Sequence, residues 1–190
     1  LAIHADVSDM KALPVIMEKT LEHYGRLDIL VNNAGICPRC SALEYTEEMW
    51  DQIIQLNQKS VFFLSQLAAR QFVKQKSRGK IINLASMMSF LGGFNTAAYT
   101  ASKSAVAGLT RVCASEWGAL GINVNALAPG WIKTGLSAAL VADTARYESV
   151  KARIPMGDWG EPDVFKGVAV LLASSASDYI NGAIIPVDGG

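Results

Sequence analysis

Five short apolar runs recur along the chain: LAIHADV, RLDILVNNAG, GKIINLAS, INVNALAPG and GAIIPVDGG. Their apolar residues are nearly continuous instead of alternating with polar ones. A strand with one wet face alternates; a strand covered on both faces does not. Each run therefore predicts a strand sandwiched between layers, and the covering layers should be helical.

The intervening segments carry that helical period. DMKALPVIMEKTLEHYG predicts an amphipathic helix closed by Gly25, and a long pattern runs from about Glu47 to Lys76. A further helix surrounds YTASK at 99–103, a looser helical region spans Leu136 to Arg153, and EPDVFKGVAVLLAS precedes the last strand. Strands alternating with helices in this way give an α/β fold, a doubly wound parallel sheet of Rossmann-like type. No internal repeat or low-complexity linker divides the 190 residues, so one domain is expected.

Charge and composition narrow the partners. Seventeen basic residues balance seventeen acidic ones with no run of like charge, which argues against a nucleic-acid groove or an anionic membrane surface. No apolar run approaches the roughly 20 residues needed to span a bilayer, and LAIHADVSD lacks the order of a signal peptide. The expectation is a cytoplasmic protein acting on a small neutral or anionic molecule. Cys37 and Cys40 form a CxxC spacing, but no second such pair follows and only two histidines are present, so free thiols and no metal site are expected.

In an open α/β sheet the ligand lies beyond the carboxyl ends of the strands. The residues there are Asp6, Asn32-Asn33-Ala34-Gly35, Ser86 and Pro129-Gly130, all small or amide groups that leave room for a flat ligand. On the helix beside them, Tyr99 and Lys103 stand at i and i+4 and share one face. An ammonium near a phenol stabilises the phenolate and lowers its pKa, which makes the pair an acid–base catalyst. Ser86 closes the preceding strand, where its hydroxyl can donate to a substrate oxygen as charge develops.

Asn32-Asn33-Ala34-Gly35, Asn57, Ser86, Tyr99-x-x-x-Lys103 and Pro129-Gly130 together resemble, in order and spacing, the motif series of the short-chain dehydrogenase/reductase family. The resemblance implies hydride transfer between a nicotinamide and a secondary alcohol or ketone. It makes Tyr99 the general acid or base, gives Lys103 the nicotinamide ribose, and lets Ser86 position the substrate oxygen. Asn57 would hold a water linking the lysine to solvent. Asp6 and Val7 would lie near the adenine, Asn33, Ala34 and Gly35 against the adenosine side, Pro129 and Gly130 under the nicotinamide, and Ile132 and Thr134 at its carboxamide. KIINLASMMSFLGG, RIPMGDWGEPDV and LASSASDYINGAIIPVDGG are similar to the sugar-acid subgroup, which points to acids such as 2-deoxy-D-gluconate or 2-dehydro-3-deoxy-D-gluconate. In that subgroup Arg39 would grip the carboxylate, although Pro38 stands where a paired arginine is common.

The resemblance also implies NAD, with NADP not excluded, and assembly into homodimers or homotetramers. It further implies a preceding segment with the glycine-rich turn that receives the pyrophosphate, so LAIHADV would correspond to the family's third strand. Residues 1–190 by themselves would then bind no dinucleotide and be inactive. Two other readings stand beside this one: a noncatalytic α/β scaffold or fragment acting as a binding partner, and a reductase of a different carbonyl substrate.

Overall fold

The computed structural model describes residues 1–190. Helix α1, Ala12–Tyr24, stops where Gly25 turns left-handed at φ 74° and its N–H caps the Leu21 carbonyl, a conformation glycine adopts without steric cost. Strand β1, Ile29–Asn32, follows. Helix α2, Glu47–Ile54, starts on Thr46, whose hydroxyl accepts the Met49 N–H. It runs through a wide π turn, Gln55–Lys59, into α3, Ser60–Lys74, so the expected long helix is present but interrupted at Asn57.

Strand β2, Gly79–Leu84, leads through a short turn at Met87–Ser89 to α4, Ala97–Trp117, and then β3, Ile122–Pro129. The loose helical region resolves into a 3₁₀ turn, Gly135–Ser137, and two short helices, α5, Ala138–Ala142, and α6, Thr144–Lys151. A proline-led turn, Pro162–Phe165, opens α7, Lys166–Ala173, and β4, Ile184–Val187, ends the sheet.

The four strands lie in the order β1-β2-β3-β4, all parallel, with Asn32 opposite Asn83 and Leu84 opposite Leu127. Helices cover both faces. Ile81, Ile122 and Val124 pack on Ala68, Ala69 and Phe72 of α3 and on Cys113 and Ala114 of α4. Ile82 and Leu127 turn the other way onto Leu172 of α7. Neighbouring strand residues thus face opposite layers, both dry, which is why the strands read as unbroken apolar runs. Between β1, α3, β2 and α4 runs a buried polar thread: the Asn32 amide donates to Ser65 Oγ at 3.0 Å and Asn83 Oδ1 at 2.8 Å, and Asn83 donates to Thr110 Oγ1 at 2.9 Å.

Leu1–Val7 forms no strand, contrary to its apolar run. A strand is made by its neighbour, and none lies beside this segment. Val7 instead faces Val31, Asn33, Ala34 and Val61 across a groove of about 80 Å³, while the outer edge of β1 is unpaired and Val31 there is exposed. No helix is long and apolar enough to cross a membrane.

Candidate active site

The first turns of α4 bring Tyr99 and Lys103 to the carboxyl end of β2. Lys103 is buried, and its ammonium donates to the Leu84 carbonyl at 2.5 Å while standing 5.7 Å from the centre of the Tyr99 ring. Burial disfavours the charged form and brings Lys103 down to about 8. Burial likewise pushes the Tyr99 phenol above its ordinary value; hydrogen bonding with Ser86 opposes the rise, the Cys37 charge adds to it and Arg39 lowers it. The expectation that the neighbouring ammonium sets a low tyrosine pKa is therefore corrected. Desolvation of the ring dominates, and the one hydrogen bond that the lysine makes within the chain goes to a backbone carbonyl and not to the phenol.

Asn57 is completely buried inside the π turn. The extra residue in that turn rotates the side chain inward, where its Oδ1 accepts the Ile36 N–H at 2.9 Å and its Nδ2 donates to the Ile36 carbonyl at 2.8 Å and to Ser102 Oγ at 3.3 Å. Ser102 in turn donates to the Tyr99 carbonyl at 2.7 Å. Both amide protons are thus committed within the chain, and one lone pair of Oδ1 remains for a water. Asn57 acts as a clamp between the loop after β1 and the start of α4. It also explains Gly35, where a Cβ would come within 3.3 Å of Asn57 Oδ1 and 3.7 Å of the Lys103 ammonium.

Ser86 leaves β2 in extended conformation and accepts the Met88 N–H on its Oγ at 3.1 Å. With that lone pair engaged, the hydroxyl proton is free to be donated outward. Arg39 is exposed, with a guanidinium N–H 3.5 Å from the Phe94 carbonyl, and its charge is felt at both Cys37 and Tyr99. Cys37 and Cys40 are free and half-buried, and burial raises the Cys37 thiol above its usual range. No cluster of three or more His, Cys, Asp or Glu is placed to hold a metal ion.

The expected cofactor residues fall into three groups. Val7, Asn33 and Ala34 line the groove beside β1, and Asp6 folds back so that its carboxylate accepts the Ser8 N–H at 2.8 Å. Pro129 and Gly130 end β3. The bare backbone of Gly130 is required by the chain itself, because a Cβ would lie 2.4 Å from Asp188 Cβ. Beyond them Ile132 bridges to Gly160, the Ile132 carbonyl accepts from Ser137 Oγ at 2.6 Å, and Thr134 is exposed. The Ile132 N–H makes no hydrogen bond within the chain. A free backbone donor beside an exposed threonine suits a carboxamide, and the bare Gly35 edge next to Lys103 suits a ribose, so the residues present fit the nicotinamide and ribose end of such a cofactor.

Ser89 and Ser102 were not singled out from sequence, though both tie the site together. The signal for Ser89 was available: a second serine three residues after the strand-closing Ser86 is the spacing of a reciprocal N-terminal cap.

A parallel α/β sheet that gathers a serine, a tyrosine and a lysine at its carboxyl edge, where such sheets bind their ligands, fits the oxidoreductase that the motif resemblance implies. The comparisons agree. Residues 1–190 match the family described as enoyl-(acyl carrier protein) reductase. A 2-dehydro-3-deoxy-D-gluconate 5-dehydrogenase of Dickeya dadantii is 54% identical over 190 residues, covering 100% of this chain and 75% of the relative. A protein of the same name from Escherichia coli is 50% identical with the same coverage. A crystal structure of a gluconate 5-dehydrogenase from Burkholderia cenocepacia in complex with NADP and tartrate matches with a TM-score of 0.94 at 38% identity, covering 98% of this chain and 72% of that one. The chain belongs to the short-chain dehydrogenase/reductase family, a family of oxidoreductases.

Proposed function

We propose that this chain is the catalytic part of a sugar-acid dehydrogenase, reversibly oxidising a secondary alcohol of a 2-dehydro-3-deoxy-D-gluconate or gluconate-type acid. The observation that carries the reading is the convergence of Ser86, Tyr99 and Lys103 at the end of β2, with the Arg39 charge close enough to act on the phenol. Tyr99 moves the proton of the reacting oxygen, Ser86 donates to that oxygen, and Lys103 holds Tyr99's helix to β2 and faces the ribose edge at Gly35. Asn57 keeps the Ile36 loop against that site. A nicotinamide, when bound, supplies the hydride chemistry. Ile132 and Thr134 would hold its carboxamide, Asn33, Ala34, Gly35, Pro129 and Gly130 its flanks, and Asp6 and Val7 its adenine side. NAD is our assignment on the resemblance to the sugar-acid subgroup alone, with NADP, which the Burkholderia neighbour carries, as the alternative. Following nicotinamide absorbance with both cofactors and a panel of sugar acids tests the assignment, and turnover confined to uncharged alcohols would defeat it.

The carboxylate of such a substrate falls to Arg39. Its guanidinium is exposed and screened by solvent, which limits what the ion pair contributes. Arg39→Ala should raise KM for gluconate-type acids about tenfold and leave an uncharged polyol unaffected. Equal losses on the two substrates would place Arg39 outside the site.

The protein works as a homodimer or homotetramer in the cytoplasm. Phe63 of α3 and Val112 of α4 are exposed, while Phe62 is partly buried against the core. Such apolar side chains on neighbouring helices are suited to a partner copy. Sedimentation of the full gene product should give at least twice the protomer mass, and a strictly monomeric mass would refute the assembly.

A further inference from the structure

Ser86 sits in a segment fastened to the tyrosine-bearing helix on both sides. Upstream, the Lys103 ammonium holds the Leu84 carbonyl at 2.5 Å. Downstream, Ser89 Oγ donates to the backbone carbonyl of Lys103 at 2.7 Å and accepts the Ser86 N–H at 3.4 Å. The Ser89 N–H returns to the Ser86 carbonyl at 2.8 Å, and the Met88 N–H holds Ser86 Oγ at 3.1 Å. The short turn Met87–Ser89 is thus closed on Ser86 by three contacts, and one hydroxyl joins that turn to α4 at the residue one helical turn beyond Tyr99.

Besides the Ser89 bridge, the hydrogen bond from the turn to α4 is that of Ser104 Oγ, which reaches the Met88 carbonyl at a long 3.4 Å, while Met87 packs on the core cluster that includes Val106 of α4. Of the Gly92-Gly93 pair that follows, Gly92 meets nothing within 4 Å of where a Cβ would stand, while Gly93 is packed against Met88 and its carbonyl accepts the Thr96 hydroxyl at 2.9 Å. The Ser89 oxygen is therefore the shorter of the two hydrogen-bonded ties between that turn and α4, and it helps to fix the Ser86 hydroxyl against the Tyr99 phenol. Catalytic hydrogen bonds must be held to within a fraction of an ångström to be effective.

We infer that Ser89 is a positioning residue that sets the Ser86 hydroxyl against Tyr99, acting through Ser86 and not on the substrate. The inference rests on the proposed roles of Ser86 and Tyr99. Because hydrogen bonding with Ser86 favours the Tyr99 phenolate, loosening Ser86 should also shift the pH at which alcohol oxidation turns on, an effect that simple loss of fold would not produce.

The test is a double-mutant cycle in the full gene product, with steady-state kinetics, cofactor binding and the pH profile of oxidation measured for each variant. Ser89→Ala should lower kcat about tenfold, the scale of one misaligned hydrogen bond. It should leave cofactor affinity within about twofold and move the alkaline onset of oxidation to higher pH. Ser89→Thr, which keeps the oxygen, should restore both. In a Ser86→Ala background, Ser89→Ala should cost nothing further. An equal tenfold loss in both backgrounds, or an unchanged pH onset in Ser89→Ala, would overturn the inference. If Ser89→Ala does not fold, Ser89→Cys, with a near-isosteric but weak donor, takes its place with the same expectations. A Ser86→Ala enzyme as active as the parent would instead sink the proposed function of Ser86, so the two failures are separable.

Discussion

Tyr99→Phe should abolish turnover while leaving cofactor affinity nearly intact. The substitution removes only the phenolic oxygen, and the ring that packs at the head of α4 remains. General acid–base groups contribute roughly 10² to 10⁴ in rate, so the fall in kcat should lie in that range. A loss smaller than tenfold would take Tyr99 out of proton transfer. The direction of its pKa adds a second expectation. Burial keeps the phenol protonated at neutral pH, ready to donate to a carbonyl. Reduction should therefore be flat through neutrality, and oxidation, which needs the phenolate, should climb steadily on the alkaline side. Measuring kcat/KM in both directions across that range reports the free-enzyme group, and an oxidation rate already level below pH 7 would show that some other base is at work.

How far the sequence reaches depends on whether a feature is local. The two-faced strands are local: Ile81 and Ile82 are adjacent and both buried, one toward α3 and α4, the other toward α7, and no other layer arrangement asks for that. The i, i+4 spacing of Tyr99 and Lys103 is local too, and the helix delivers it. Leu1–Val7 shows the opposite case. Its composition fits a strand as well as Ile29–Asn32 does, but β1 has β2 beside it and Leu1–Val7 has no neighbour, and strand formation is a property of the pair.

The same distinction separates what was legible in the site from what was not. Which residues gather at the strand ends could be read from spacing. Why they are the residues they are often could not. Gly130 reads as an approach for a ligand, yet Asp188, far along the chain, already forbids a side chain there. Asn57 reads, by resemblance, as the holder of a water between the lysine and solvent; only the π turn shows that it points inward and spends its amide on Ile36. The phenol–ammonium pair suggests a lowered tyrosine pKa. The actual direction depends on how deeply the ring is buried and on which acceptor the lysine finds, and the Leu84 carbonyl is a choice made in three dimensions. Charges and burial oppose each other at this site, and the sequence carries no magnitude for either.

Lys103 makes that opposition measurable, because a buried cation costs stability wherever it must stay charged. Its folded-state value is about 8, against 10.5 when free. Below pH 8 both the folded and unfolded chains hold the proton, and the folded chain carries the full cost of burying it. Between 8 and 10.5 the folded chain has released the proton and the unfolded chain has not, so the unfolded state binds more protons and stability rises with pH. Above 10.5 the two states again match. At 1.36 kcal/mol per pH unit the span from 8 to 10.5 corresponds to about 3 kcal/mol. Lys103→Met cannot show this rise. Urea melts of the two proteins from pH 7.5 to 10.5 should therefore diverge, the parent gaining about 3 kcal/mol on the variant, while titrations common to both cancel. At neutral pH the variant escapes the cost of the buried charge but leaves the Leu84 carbonyl without its donor, an offset of roughly 1 to 3 kcal/mol, so the two should then differ far less. The variant should also lose turnover and bind the nicotinamide cofactor more weakly. A difference that stays level across the pH series would mean that the folded protein carries Lys103 as an ordinary charged lysine. The cation would then be reached by solvent and not sealed between α4 and the end of β2.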